Sequence, residues 1–415
     1  MRITGLFNTL LAGMVMVFFL YAGLGCAQNN DEPIKVLWQK EFNPDPNMHY
    51  VPGPVTVNKP ENLLIAIVNV FFPTEMSQLE DYPSKFDLQP WLWEIDFDGN
   101  LKKNVMLENV REDSKLNSYN NITDVEIFGD GGFIVFAYNR ILKTCLNDEK
   151  TFVFKKLSNF DMVDLCRSGD NYFVVGSHGA NQAVAIKINS EMRQISRKNY
   201  HIAGRDYEFF TKCVPDKHNN GFVGIGLSAW VFESSCFLLR TDEQGNELAI
   251  AMFDAYDPGS EATYPHICIL DSGTIIAAMN YFIDDTRELQ VVTRAYSPDL
   301  EELIWKRDNA GTISQWPAYF EIADISEGRF AIVRCKVGSE NVFSVHAYDD
   351  NGMEYANTLI PFNAEIKNSN FKVVSNEDRL YVVAQGDKKG TPSKIVITAL
   401  QIGKPVEIDK KETQN

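Results

Sequence analysis

The sequence predicts an all-β fold, a β-propeller of seven four-stranded blades whose ring is closed by an N-terminal strand. Three observations predict it. A unit of about 40–50 residues recurs along the 415 residues of the chain. Each unit has a tight polar turn directly before its most apolar strand. Long segments with helical periodicity are absent, because Gly and Pro interrupt the chain too often. A repeat of this length buries its faces only against neighbouring copies.

Each unit begins with a strand and a turn rich in Gly, Asn and Asp, and a continuous apolar run follows. FVGIGL at 222–227 is an example, typical of a strand buried on both faces. A third strand and a second turn come next, as in EIDFDGNLKK at 94–103. The fourth strand mixes apolar with charged residues, as an exposed outer edge does. The first turns lie at 61–62, 130–132, 169–171, 219–221, 271–273, 326–328 and 376–378.

The two ends of the repeat predict how the ring closes. The seventh unit stops after its third strand, at 394–402, and IKVLWQKEF at 34–42 is a spare strand that resembles the fourth strands elsewhere. We expect this N-terminal strand to complete the last blade. A strand around 405–408 is an alternative for the same place. Six blades plus an irregular module is also open, because the first repeat spacing is long and the second is short.

The chain divides into four parts. Residues 1–25 have the layout of a secretory signal peptide: Arg2, a charge-free apolar run at 10–24, and small residues before a polar stretch. A retained membrane anchor is the alternative. We expect a tether at 26–33, the propeller at 34–409 and a disordered tail at 410–415.

Two segments resemble known bacterial sequences. Gly23-Leu24-Gly25-Cys26 resembles the lipobox of bacterial lipoproteins, in which the Cys is lipidated, although Gly23 stands where a Leu is usual. Ordinary cleavage after Ala27 is the alternative. DGGFIVF at 130–136 and LWEIDFDGNL at 92–101 resemble segments of secreted bacterial β-propeller lipoproteins. The resemblance implies export, a lipid anchor at Cys26, and a place on the outer leaflet or periplasmic face of the envelope; a secreted soluble protein is the alternative.

Charge and cysteine usage limit the partners. The net charge of −17 excludes a nucleic-acid backbone and gives no polybasic patch for anionic lipid, so the membrane is reached through a lipid anchor only. The cysteines after Cys26 have no zinc spacing and are expected to be small buried hydrophobes. Cys166, Cys213 and Cys268 fall at equivalent places in successive repeats. We expect them to be too far apart to pair.

The sequence contains no recognised catalytic or cofactor motif. GxSxG, HExxH, a P-loop and a dinucleotide fingerprint are all absent, so we assign no catalytic residue, no cofactor and no metal. Asp96-Phe97-Asp98-Gly99-Asn100 superficially resembles a calcium loop but lacks the closing Glu, and it lies where the repeat needs a hairpin turn. His266 lies in a first strand and is expected to be packed.

The best functional clue is position. Connections from second to third strands, and between blades, gather on one face of a propeller, and the first such connection, at 71–90, is long and aromatic. Aromatic and polar residues at these places suit a peptide or a sugar ring. The alternative is that they pack the connections onto the blades. The candidate binding residues are Phe72, Tyr82, Phe86, Arg140, His178, Trp230, Tyr281 and Trp316.

These observations favour a non-catalytic binding or scaffold lipoprotein that presents one propeller face to an envelope protein or a glycan. The alternative is a carbohydrate-active hydrolase or lyase with carboxylates or His178 at the channel mouth. This alternative is an analogy from the fold. A quinone-dependent dehydrogenase is a third possibility, for which the sequence marks no site.

Overall fold

The computed structural model describes most of the chain from residue 33 to residue 405. The segments at 1–32 and 406–415 lie outside the described residues, and with them the predictions of a leader, a tether and a tail. No described helix is long and apolar enough to cross a bilayer. The described residues are 33–71, 89–107, 122–127, 133–137, 140–145, 148–156, 160–179, 182–202, 207–230, 233–253, 262–283, 288–313, 319–336, 342–361, 371–388 and 391–405.

The described chain forms 28 strands in seven four-stranded antiparallel sheets, which we number in chain order. Sheet 1 contains β2 (His49–Asn58), β3 (Leu63–Phe71), β4 (Gln89–Asp96) and β5 (Leu101–Met106). Sheet 2 contains β6 (Ile122–Ile127), β7 (Phe133–Ala137), β8 (Arg140–Cys145) and β9 (Asp148–Lys156). Sheet 3 contains β10 (Asp161–Ser168), β11 (Asn171–Ser177), β12 (Ala183–Asn189) and β13 (Gln194–Tyr200).

The remaining sheets follow the same order. Sheet 4 contains β14 (Tyr207–Asp216), β15 (Gly221–Trp230), β16 (Glu233–Thr241) and β17 (Glu247–Phe253). Sheet 5 contains β18 (Ala262–Ile269), β19 (Ile275–Ile283), β20 (Glu288–Tyr296) and β21 (Leu303–Ile313). Sheet 6 contains β22 (Tyr319–Ile325), β23 (Arg329–Lys336), β24 (Val342–Tyr348) and β25 (Glu354–Pro361). Sheet 7 contains β26 (Phe371–Asn376), β27 (Arg379–Lys388), β28 (Thr391–Ile402) and β1 (Ile34–Phe42).

Each sheet is a meander in which consecutive strands pair. The first strands of successive sheets also contact one another, from β2 through β6, β10, β14, β18 and β22 to β26, and β26 contacts β2. The first strands therefore surround a central axis, and the fourth strands lie outermost. This arrangement confirms an all-β propeller with four-stranded blades.

Antiparallel order gives the molecule two different faces. Turns between first and second strands, and between third and fourth strands, share one face, which we call the hairpin face. Connections between second and third strands, and from one sheet to the next, share the opposite face, which we call the crossover face. In sheet 7 the outer place is taken by β1, which pairs with β28 from Ile34↔Ile402 to Phe42↔Ile395.

The hairpin-face turns explain why Asp recurs in the repeat. Oδ1 of Asp96 accepts N–H bonds from Asp98 and Asn100, at 3.1 and 2.7 Å, and Gly99 has a φ of 77°. Oδ1 of Asp242 accepts equivalent bonds two and four residues on, as does that of Asp349. The side chain satisfies turn N–H groups that the strands leave open. In sheets 1, 4 and 6 this bears out the prediction of hairpin turns.

The apolar second strands form the core, which extends between sheets. Phe330, for example, is fully buried and stacks on Tyr348 with ring centroids 4.9 Å apart. Five cysteines, Cys166, Cys213, Cys236, Cys268 and Cys335, are free and buried. The expectation that equivalent cysteines are far apart is wrong for one pair. Cys166 and Cys213 pack in the same cluster, because first strands of adjacent sheets converge at the axis.

One polar cluster joins sheets 6 and 7 near the chain ends. The side chain of Arg329 is only 3% exposed, and its Nη2 lies 2.6 Å from Oδ1 of Asp378. Its Nη1 donates to the carbonyl of Gly403 at 2.6 Å, and the N–H of Gly403 donates to the carbonyl of Pro33 at 2.6 Å. The buried guanidinium is therefore paired with a carboxylate and with the backbone. This cluster ties the start and the end of the described chain to the sheet 6 hairpin.

Candidate functional site

The backbone places four of the predicted binding residues on the crossover face. His178 follows β11, Arg140 begins β8, Trp230 ends β15, and Tyr281 lies near the end of β19. Each belongs to a different sheet. Phe72, Tyr82, Phe86 and Trp316 lie outside the described residues, as does Cys26. The proposed roles of these residues stay predictions.

His178 belongs to a small polar cluster on sheet 3. Its N–H donates to the carbonyl of Gln182 at 2.9 Å, which closes the connection from β11 to β12. Its Nδ1 lies 3.3 Å from Nη2 of Arg197, and Nε2 of Gln182 lies 2.7 Å from Nε2 of His201. The cluster has three ionisable members, His178, Arg197 and His201. It can offer a ligand two imidazoles, a guanidinium and an amide.

A second set of residues, which the sequence analysis missed, lies around the central axis. In six of the seven first strands, one ionisable residue occupies the same level, three or four residues before the hairpin. We call this set the axial ring. Its members are Asp124 on β6, Asp164 on β10, Lys212 on β14, His266 on β18, Glu321 on β22 and Lys372 on β26. In sheet 1 the corresponding residue is Val55.

Irregularities in strand pairing help to position the axial ring. The register shifts between Ile122 and Asp124, and again between Met162 and Asp164. Similar shifts precede Lys212 and His266. A bulge inserts a residue and re-aims the side chain that follows. A register shift therefore precedes the axial-ring residue in sheets 2 to 5, whereas the pairing of Glu321 and Lys372 is regular, and Val55 follows a shift without being charged.

The carboxylates in sheets 2 and 3 bind the next first strand. Oδ2 of Asp124 accepts from the N–H of Leu165 at 3.1 Å. Oδ2 of Asp164 accepts from the N–H of Cys213 at 2.6 Å. Each bond crosses from one sheet to the next. These two aspartates hold the first strands of sheets 2, 3 and 4 together.

Burial and mutual repulsion change how these acids titrate. Burial, reinforced by the charges of Asp164 and Glu126, raises the pKa of Asp124 well above its ordinary value. Burial also raises the pKa of Asp164, which Lys212 offsets only in part. The two carboxyl groups are hydrogen-bonded to each other, so they titrate as a pair. Glu126, also on β6, has its pKa raised by burial to about 7.

Glu321 lies at the centre of the opposite half of the ring. Its Oε1 accepts from Nζ of Lys372 at 3.1 Å, and its Oε2 lies 3.5 Å from Nζ of Lys212 and 3.2 Å from Nδ1 of His266. Burial alone would raise the pKa of Glu321, but these neighbouring positive charges outweigh burial and hold the pKa well below its usual value.

For the imidazole of His266, the effect of burial on the pKa outweighs the effect of the neighbouring charges. Burial lowers its pKa even though Glu321 opposes the change. The ring also contacts Phe320, with centroids 4.8 Å apart and an edge-on geometry. His266 is therefore packed, in agreement with the expectation from its first-strand position.

The axial ring combines a proton-sharing acid pair with a carboxylate held by two lysines. Within the described ranges, no group of three or more His, Cys, Asp or Glu side chains is arranged to hold a metal ion. Carboxyl groups that titrate near neutral pH are the groups that general acid–base chemistry uses, but ion-pair networks with a structural role also shift pKa values. Alignment of the first strands on their hairpin turns would have shown that an ionisable residue recurs at this level, but not that these residues contact one another.

The fold defines the chain as a β-propeller protein, and comparisons with solved structures agree. The polysaccharide lyase Uly1 is similar over 89% of this chain and 100% of its own, with a TM-score of 0.58 and 8% identity. A protein of unknown function from Dyadobacter fermentans has a TM-score of 0.57 and 8% identity over 89% of this chain and 99% of its own.

The Neurospora crassa Pan2 WD40 domain has a TM-score of 0.53 and 6% identity over 89% of this chain and 98% of its own. At these identities the likenesses concern the fold alone. No protein-family model matches the chain. No curated protein matches it either.

Proposed function

We propose that this protein is a non-catalytic binding protein of the bacterial cell envelope, anchored by a lipid on Cys26, that presents its crossover face to a protein or a glycan. One observation carries the proposal. The carboxylates of Asp124, Asp164 and Glu321 are engaged by backbone N–H groups and side chains of other sheets. Groups used in this way hold the propeller together and are not free for a reaction.

The crossover face supplies the binding groups in this proposal. The exposed His178 lies on that face beside Arg197. Arg140, Trp230 and Tyr281 begin or end strands at the same face in neighbouring sheets. A rigid ring that carries variable connections is a common way to build a binding surface, because the strands position the connections at little entropic cost.

The partner is tested by deletion of residues 76–85, which belong to the long connection between β3 and β4. The variant should keep the far-ultraviolet circular dichroism and melting temperature of the wild type but lose capture of an envelope partner in a pull-down. His178→Ala should weaken the same capture. The matched control is Glu301→Gln, an exposed change on the hairpin face. Equal capture by all four proteins would contradict a binding role for the crossover face.

A carbohydrate-active hydrolase or lyase is the second candidate, and one observation favours it. The pKa of Glu126, raised by burial to about 7, suits a general acid or base near neutral pH. Its neighbours are the acid pair, Asp124 and Asp164. A glycan and chromogenic-substrate screen separates the two candidates. Turnover that is lost in Glu126→Gln and kept in Glu301→Gln would replace the binding proposal with the enzymatic one.

We further propose that the seven sheets form a closed ring and that β1 seals it. Supporting this are the pairing of β1 with β28 and the contact between β26 and β2. Deletion of residues 34–42 should expose the edge of β28 and cause association of the purified protein, since unpaired strand edges promote pairing with other chains. A monomeric deletion variant with an unchanged melting temperature would argue against a sealing role.

The lipid anchor is tested separately from the binding role. The wild-type chain should enter the detergent phase in a Triton X-114 partition, and Cys26→Ala should remain in the aqueous phase. Palmitate incorporation should follow the same pattern. An aqueous wild-type protein would favour the secreted soluble alternative.

A further inference from the structure

The described chain starts at a defined corner of the molecule. Ile34, the first residue of β1, pairs with Ile402 at the end of β28. The N–H of Gly403 donates to the carbonyl of Pro33 at 2.6 Å, which fixes the residue before the strand. Third strands run toward the hairpin face, so β28 ends there and β1 begins there. The chain therefore enters sheet 7 at its outer edge and on the hairpin face.

The tether is short in comparison with the sheet. Seven peptide units connect Cys26 to Pro33, and they reach at most about 25 Å when fully extended. The nine residues of β1 run from the hairpin face to the crossover face, a distance of about 30 Å at the usual rise of a strand. A lipid on Cys26 cannot reach past the crossover edge of sheet 7.

We infer that the anchored protein keeps its hairpin face toward the membrane and its crossover face away from it. The inference rests on the lipid anchor proposed above. It identifies the membrane surface as the neighbour of the hairpin face. It also leaves the crossover face, with His178 and the ends of β8, β15 and β19, accessible to partners outside the lipid headgroups.

Charge determines how closely the hairpin face approaches lipid. Exposed acids outnumber exposed bases on its described turns, with Glu61, Asp170, Asp271 and Asp350 among the acids and Lys59 and Lys217 among the bases. An anionic membrane repels such a face within a Debye length, about 8 Å at physiological salt. The lipid therefore holds the propeller at a short distance, and the face does not dock on the headgroups.

Two positions at opposite ends of sheet 3 test the orientation. Asp161 begins β10 on the crossover face, and Asp170 lies in the turn that follows β10 on the hairpin face; both are exposed. Asp161→Cys and Asp170→Cys are made separately in a Cys145→Ser background. With Cys26 lipidated and Cys145 replaced, the remaining five cysteines are buried, so a maleimide donor dye should react at the new residue alone. The lipidated proteins are purified from membranes and placed in phosphatidylethanolamine–phosphatidylglycerol vesicles that carry a headgroup acceptor dye.

The donor at position 170 should transfer energy to the acceptor at a several-fold higher rate than the donor at position 161, because the two lie at different heights above the bilayer. High salt should bring position 170 closer by screening the repulsion. Equal transfer, as for a ring that stands on its edge, or greater transfer from position 161 would overturn the inference while the anchor stands. A wild-type chain that fails to enter the detergent phase would overturn the anchor, and the orientation with it.

Discussion

Replacement of Glu321 by Gln tests whether the charges of the axial ring stabilise the fold. The carboxylate is nearly buried and lies within 3.5 Å of two lysine ammonium groups. Glutamine keeps the size and an acceptor oxygen but removes the charge, so Lys372 loses the carboxylate it pairs with, and Lys212 keeps only its interaction with the acids of sheets 2 and 3. Removal of one partner of a buried ion pair costs about 3–5 kcal/mol. The lysines are 29% and 46% exposed, so the low end, about 3 kcal/mol, is expected.

The expected loss can be measured as a change in melting temperature. An unfolding entropy of about 2.1 cal/mol/K per residue gives about 0.8 kcal/mol/K for a domain of roughly 370 residues. A loss of about 3 kcal/mol then corresponds to about 4 °C. The assay is differential scanning fluorimetry of the Cys26→Ala protein at pH 7, with Glu301→Gln as the control. Glu301 is exposed on the hairpin face, and its replacement should change the melting temperature by less than about 1 °C.

The pH dependence shows whether charge is the cause. The pKa of Glu321 is lower in the folded protein than its ordinary value of 4.5, so the ionised carboxylate stabilises the fold above pH 4.5 and loses this effect as the pH falls toward the lowered pKa. The gap between wild type and Glu321→Gln should therefore narrow by about 1.4 kcal/mol from pH 7 to pH 3.5. An equal gap at both pH values, or no gap at pH 7, would refute the reasoning.

Three further changes test other parts of the molecule. The wild-type protein should lose stability from pH 5 to pH 8, since the raised pKa of Asp124 favours its neutral form in the fold. Asp124→Asn should lose less stability over the same range. An equal fall in melting temperature for both proteins would contradict this. Arg329→Met should lower the free energy of unfolding by about 3 kcal/mol, because it removes the cation that pairs with Asp378 and a donor to the carbonyl of Gly403. The control Arg193→Met, at an 81% exposed side chain, should change the free energy of unfolding by less than about 0.5 kcal/mol. Similar urea midpoints for the two variants would contradict the prediction. Gly352→Ala should destabilise more than Gly169→Ala. Both have positive φ, but only the first would place a Cβ 2.8 Å from a tryptophan ring, and equal midpoints would show that the contact relaxes freely.

Much of the fold could be predicted from the sequence, because tight turns and apolar runs mark each repeat. The order of strands, the Asp-based hairpins at 96–100 and 242–246, and the use of Ile34–Phe42 as a strand follow from local chemistry that each unit carries by itself. The packing of His266 could be predicted for the same reason. Local patterns determine which residues are buried within a sheet.

The axial ring and the Cys166–Cys213 contact could not be predicted in this way. Both depend on how closely the first strands of adjacent sheets converge, a distance between sheets that no single repeat encodes. In the sequence, Asp124, Asp164 and Glu321 each share their strand with at least one other charged residue, so nothing marks them as facing the axis. The bulges that precede four members of the axial ring carry no consistent sequence signal, since Ile122–Asp124 and Thr263–His266 have only a Thr in common, at different places. The crossover-face candidates remain predictions.

The hydrogen bond between Gly403 and Pro33 has a practical consequence. It brings the two extremities of the described chain to one spot on the rim, so a short linker of a few residues would join them head to tail. New termini could then be placed in a connection of another sheet. The chain would run through sheet 7 without a break, as a circular permutation there requires. By the same geometry, a fluorescent protein inserted directly after Gly403 would be crowded against Pro33, and a reporter inserted on the opposite side would not.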